Sequence, residues 1–131
     1  SRGLGDVYKR QVYIPHRGDI HKDHKMVFDA VLVAVRPRNN YTVKKVLAYE
    51  TLSETEWGNP VASDMFIPTY FEEVNELYFE KKLKALSFFH SQMALFPASR
   101  SLEAVDALSK YRGATISKMR AEAFMVVRII S

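Results

Sequence analysis

Apolar residues fall in short blocks along the chain, each closed by a polar, proline-marked or glycine-marked stretch. Val12–Ile14 is the first, a brief run that reads as the end of a buried strand. The loop PHRGD follows. The spacing then predicts a helix from about Ile20 to Val35, with Asp19 as its N-cap and Pro37 as its stop. Its interior, MVFDAVLVAV, is apolar on nearly every side, the pattern of a helix packed on a sheet and covered again. KKVLAYE, at 44–50, is a second strand with a buried centre, and it opens into the polar loop TLSETEWGNP. MFIPTYFEEV, at 65–74, is a further extended stretch interrupted at Pro68. Asn75 then caps a helix running to about Met93. Phe79, Leu83, Leu86 and Met93 share its apolar face, and Glu80 and Lys84 pair on the solvent side. Ser101 caps a third helix, closed by the C-terminal signal Arg112-Gly113. AFMVVRII, at 123–130, fits either a closing strand or a helical turn.

Strands alternating with helices make this an α/β chain with a mostly parallel sheet and flanking helices. Its 131 residues are one domain or part of one. No run of about 18 apolar residues exists to span a membrane, and no signal-like stretch opens the chain. Cysteine is absent, so disulfides and thiolate metal sites are excluded and any metal must take nitrogen and oxygen ligands. With these bounds the cytoplasm, in a bacterium, is the default compartment.

The net charge of +4 changes the picture little. Residues 1–11, SRGLGDVYKRQ, hold three basic residues against Asp6, which leaves only +2 for the other 120. Those charges are interleaved, as in FEKKLKAL, so a nucleic-acid partner is not expected. Residues 1–11 show no periodicity, and the string RGLGDVYKRQ resembles translated adapter sequence at the ends of metagenomic genes. The expectation is a non-native or disordered leader over 1–11, a genuine sequence from about Val12, and upstream residues lost.

The candidate chemistry sits in GDIHKDH, residues 18–24, where two of the four histidines lie three apart beside Asp19 and Asp23. With Asp19 as cap, His21 and His24 share one face of the first helical turns. In an open α/β sheet that face lies beyond the carboxyl ends of the strands, where ligands bind. A neutral imidazole ligates zinc well, and a neighbouring carboxylate, Asp19 or Asp23, can fix its tautomer. A polar turn opening a helix would use the same residues, because acids near a helix N-terminus are favourable.

VYIPHRGDIHKDHKMVFDAVLVAVRP, followed by KKVLAYETLSETEW, resembles the LmbE-like deacetylase family, which includes the GlcNAc-phosphatidylinositol de-N-acetylases (PIG-L). The resemblance continues through EKKLKAL, FPASRSLEAVDALSKYRG and AEAF, over residues 12–128. It implies a Rossmann-like fold and a zinc-dependent hydrolase that removes an acetyl group from an N-acetylated amino sugar or related conjugate. Carried over by motif, His24 is a zinc ligand, His21 stabilises the oxyanion, and Asp23 orients or charge-balances His21. The family's remaining ligands and general base lie in an N-terminal His-Pro-Asp-Asp motif that these residues lack. Residues 12–131 therefore read as the C-terminal part of such a domain, expected to be inactive without its N-terminal portion. The alternative is a non-catalytic α/β binding or assembly module; homo-oligomerisation is open in either case.

Three more residues are substrate-contact candidates. Glu50 and Trp57 belong to the loop leaving the second strand, where Trp57 could stack on a sugar ring and Glu50 or Glu56 accept hydroxyl hydrogen bonds. Trp57 as a core anchor is the competing reading. Arg100 follows FPAS, where family members carry His-Pro before the arginine and this chain has Ala98 and Ser99. His16 reads as an exposed loop histidine and His90 as a packed one. Ser117 stands where a glycine is expected after RGATI, which puts the turn there in question.

Overall fold

The computed structural model describes residues 11–38, 42–89 and 93–131. His90, expected to be packed, lies outside the described residues. In chain order the elements are β1 (Gln11–Pro15), α1 (Lys22–Ala34), β2 (Lys45–Tyr49), β3 (Tyr70–Glu73), α2 (Glu76–Ser87), α3 (Leu102–Thr115) and β4 (Ala121–Ile129). Two short 3-10 turns, Thr55–Trp57 and Ala62–Asp64, lie between β2 and β3. No helix among the described residues is long and apolar enough to cross a membrane.

The four strands form one sheet in the order β1-β2-β4-β3. β1 and β2 run parallel, from Gln11 opposite Lys45 to Pro15 opposite Tyr49. That geometry requires a crossover rather than a hairpin, and α1 supplies it. β2 and β4 are antiparallel, with an irregularity between Val46 and Leu47 that shifts the register by one. The sheet is thus mixed where the alternation of elements predicted a mostly parallel one. The segment 121–129 resolves as a long strand, and alternation of elements carries no information on which direction a closing strand runs.

The chain divides into two compact units, one running to Tyr70 and completed by Phe124–Ser131, the other Phe71–Ala123. In the first, Ile14, Val35, Val43, Val46 and Ala48 make a buried core, against which Val12, Phe28, Val31, Leu32, Met125 and Val127 pack. The strand period of two explains the division of side chains. Val46 and Ala48 face α1, while Leu47, wholly buried, points to the other face. Tyr13 and Tyr70 flank Phe124 there, with ring centroids 5.2 and 6.3 Å away. Arg128 reaches under the end of α1, donating from Nη2 to the Val35 carbonyl at 2.7 Å and to the Val43 carbonyl at 3.3 Å. A guanidinium at a helix C-terminus satisfies carbonyls the helix leaves open.

α1 begins at Lys22 with His21, not Asp19, in the N-cap position, and His21 makes no side-chain cap bond. Asp19 has other partners, described below. The helix buries no residue completely; Phe28, Val31 and Leu32 meet the core, while Met26, Val27 and Val33 are exposed. The expected second covering layer is thus not present among the described residues.

The second unit holds α2 packed with α3. Both predicted caps are in place. Asn75 Oδ1 accepts from Tyr78 N at 2.8 Å, and Ser101 Oγ accepts from Ala104 N at 3.2 Å. The predicted stop at Gly113 is not. α3 runs on to Thr115, and Gly113 is helical and buried. A Cβ there would lie 2.7 Å from the Arg120 backbone, so this glycine permits close chain approach rather than ending a helix. The left-handed residue is Ser117, with φ of 59°, at the position where a glycine was expected. Arg120 is buried between Glu76 (Nε to Oε1, 2.8 Å), Ser109 (Nη1 to Oγ, 2.7 Å) and the Asp106 carboxylate, with Phe79's ring 3.9 Å away. Burial lowers its pKa, but the bonds to Glu76 and Asp106 outweigh that and hold it above the ordinary arginine value.

Candidate functional site

Because β1 and β2 are parallel, their carboxyl ends lie on one side of the sheet, and the loops leaving them meet there. The first is 16–21, the second 50–64. His16 N donates to the Tyr49 carbonyl at 3.2 Å, and Ile20 N donates to the Glu54 carbonyl at 3.4 Å. Gly18 makes the approach possible. A Cβ at Gly18 would fall 1.9 Å from the Asp64 carbonyl oxygen, and one at Gly58 would fall 2.2 Å from the Gly18 oxygen. His16 is buried rather than exposed: its Nε2 lies 2.7 Å from the Asp64 carbonyl oxygen and its ring stands edge-on to Phe66. It ties the two loops together.

The second loop is shaped by its own polar side chains. Ser53 adopts a left-handed φ of 77°, and its N–H donates to Glu56 Oε1 at 2.8 Å. Thr51 N donates to Thr55 Oγ1 at 2.8 Å, and Thr55 N donates to the Thr51 carbonyl at 2.9 Å. Short hydroxyl and carboxylate side chains bonding back to nearby backbone favour such turns. Glu56 is thereby committed to the turn, while Trp57 is left 68% exposed and is no core anchor.

Where the loops meet, Asp19, His24 and Glu54 come together. Asp19 is wholly buried, Glu54 is buried and His24 is half-buried. Asp19 Oδ2 lies 2.6 Å from His24 Nδ1, Glu54 Oε1 lies 3.5 Å from the same nitrogen, and Thr55 Oγ1 donates to Asp19 Oδ1 at 2.7 Å. A buried carboxylate is costly unless hydrogen bonds compensate it, and Thr55 and His24 supply them. Tyr49 stands in the same field. Burial, then the negative charges of Asp19 and Glu54, raise its pKa above the ordinary tyrosine value.

The three residues each offer one donor atom within 4.8 Å of the others, a group that could hold a metal ion. One nitrogen and two carboxylate oxygens suit zinc. The 2.6 Å Asp19–His24 contact, however, is a hydrogen-bond length. Two atoms bound to one tetrahedral zinc at about 2.0 Å sit roughly 3.3 Å apart. With Asp19 bonded to Nδ1 in this way, a metal held by His24 would be met through its other ring nitrogen, Nε2.

His21 and Asp23 are exposed at the start of α1, one residue outside it and in its first turn. Glu50 is half-buried directly after β2, and Arg100 lies in the other unit, exposed on the loop before α3. The reading of GDIHKDH thus finds His24 inside a buried polar group and leaves His21 and Asp23 at its exposed margin. Glu54 and Thr55 were not singled out from the sequence. Their signal was present in the motif itself, a polar loop placed directly after a buried strand.

No family model matches the chain. Over 81 residues it is 41% identical to a protein of Escherichia coli (strain K12) described as the uncharacterized deacetylase YaiS; the match takes in 62% of this chain and 37% of that protein. The chain therefore spans little more than a third of this relative's length. Its fold matches the crystal structure of the conserved protein TT1542 from Thermus thermophilus with a TM-score of 0.68. That match covers 98% of this chain and 56% of the other at 20% identity, which shows a shared fold alone. The sequence is thus similar to that of a deacetylase-named protein, on a mixed α/β fold that is also found in a longer chain.

Proposed function

We propose that the chain is part of a zinc-dependent N-deacetylase of the LmbE-like (PIG-L) type, acting on an N-acetylated amino sugar or related conjugate. The observation that carries this reading is His24, held through Nδ1 by the fully buried Asp19 where the loops of two parallel strands meet. A histidine that ligates a metal commonly donates its other ring N–H to a carboxylate. The similarity to a deacetylase-named protein, and the resemblance carried by GDIHKDH and ETLSETEW, support the same reading.

His24 would hold the zinc through Nε2. A catalytic zinc takes three protein ligands and an open position, and the resemblance puts the other two in a His-Pro-Asp-Asp motif upstream of these residues. When bound, zinc supplies polarisation of the amide carbonyl and a nucleophilic water at neutral pH. The chain's own residues then bind and orient. His21, exposed at the head of α1, donates to the oxygen of the scissile carbonyl as negative charge develops on it. Asp23 balances the charge of His21. Trp57 offers an exposed face for a sugar ring, and Glu50 is the proposed polar contact to substrate.

The test is metal analysis of the chain extended upstream to include its preceding coding sequence. About one zinc per chain is expected, and His24→Ala should abolish it. Undiminished zinc in the mutant rules out His24 as a ligand and leaves a non-catalytic module as the better reading.

A further inference from the structure

The hydrogen bonds around Asp19 have a direction, and that direction orders the groups that face His24. The Thr51 backbone N–H can only donate, and its acceptor is Thr55 Oγ1 at 2.8 Å. Thr55 has one hydroxyl proton, which leaves it for Asp19 Oδ1 at 2.7 Å. Oδ1 is therefore already an acceptor, and Oδ2 is free to face His24 Nδ1 at 2.6 Å. Asp19 has no exposure to solvent, so its oxygens need hydrogen-bond donors within the protein. Glu54 Oε1 presents a second carboxylate oxygen to the same ring nitrogen at 3.5 Å. Two carboxylates facing Nδ1 call for a proton on that nitrogen.

We infer that Asp19, itself held by Thr55, is a positioning residue that fixes His24 in the Nδ1–H tautomer and so leaves Nε2 unprotonated, as a ligand must be. The relay runs from the Thr51 backbone through Thr55 and Asp19 to His24, and it links the loop after β2 to the first turn of α1. Asp23, adjacent to His24 in sequence, is exposed and stands outside the relay. The relay rests on the hydrogen bonds; only its purpose rests on reading His24 as a metal ligand.

Nitrogen-15 correlation spectra of the histidine rings read the tautomer directly. They are recorded on the 131-residue chain, without metal, at a pH where the rings are neutral. The His24 signals are those lost in His24→Gln. The wild-type ring should carry its proton on Nδ1. Asp19→Ala should move it to Nε2, the form an unconstrained imidazole favours. Asp19→Asn, whose oxygen accepts from Thr55 and whose amide N–H then faces Nδ1, should likewise move the proton to Nε2. A wild-type ring protonated on Nε2 overturns the inference, and so does Asp19→Ala with Nδ1–H still dominant. The wild-type spectrum decides the matter even where Asp19→Ala fails to fold. In the upstream-extended protein, Asp19→Ala should weaken zinc binding about 10–100-fold, and unchanged affinity overturns the positioning role. Zinc that survives His24→Ala, together with an Nδ1–H ring, removes the metal reading while supporting the relay.

Discussion

His21 and His24 are three apart in sequence, yet one is exposed at a helix cap and the other is hydrogen-bonded to a buried carboxylate. This difference suits the different work proposed for them. A ligand must be held still, and His24 is; a group that meets the substrate must be reachable, and His21 is. In the upstream-extended protein, His21→Ala should therefore keep its zinc and lose roughly 10²–10³ in turnover, the usual cost of one oxyanion donor. Metal content and turnover measured on the same preparation check this, and a near-normal rate would reduce His21 to a turn residue. The spacing of the pair was legible because His-x-x-His at a helix start places both rings on one side. Asp19 was legible both as an N-cap and as a carboxylate beside a histidine; the structure overturns the first and places it against His24 Nδ1. The N-cap preference for aspartate is a local rule, and a buried partner contributed from residue 55 outweighs it. No local rule reports on a contact 36 residues away.

At the scale of elements, strands, helices and both side-chain caps on α2 and α3 could be read from the chain, since period and cap chemistry are local. Three things could not, the first being the end of α2, which stops at Ser87, short of the expected Met93. Strand direction in β4 depends on which neighbour it pairs with, and Gly113 obeys a packing demand from Arg120 rather than a turn demand. Arg120 itself gave no sequence signal, because a single arginine between a loop and a strand usually faces water. In the structure it is the polar centre of the second unit, bridging the start of α2 (Glu76) to α3 (Asp106 and Ser109) over the ring of Phe79. Its partner carboxylates are partly exposed and regain water when it is removed, which limits the loss. Arg120→Ala should cost about 2–3 kcal/mol, from the lost charged hydrogen bonds and the cation–π contact together. Arg120→Lys should recover little of it, because an ammonium cannot reproduce the planar fork that meets Glu76, Ser109 and Asp106 at once. Denaturant unfolding of the two variants against wild type measures both.

For the molecule as a whole, the outer face of α1 is the informative surface. MVFDAVLVAV is apolar all round, which predicts burial on two sides, yet only the side of Phe28, Val31 and Leu32 meets the core. Met26 is 69% exposed and Val33 59% exposed. β1 stands at one end of the sheet order, so one of its edges has no strand beside it among the described residues. Exposed apolar faces and open strand edges both promote association. The chain's span of 37% of its deacetylase-named relative and 56% of its structural match gives a physical question to that face: whether further sequence covers it. Lysine substitutions at Met26 and Val33 answer it. In the 131-residue chain they should leave stability within about 0.5 kcal/mol, as surface changes do, and lower self-association measured by sedimentation. In the upstream-extended protein the same pair should be destabilising by several kcal/mol if that sequence buries the face, since each lysine would then strand an unpaired charge. Equal tolerance in both proteins would show that the face is solvent-exposed in each, and that the apolar pattern of α1 serves association between separate molecules instead.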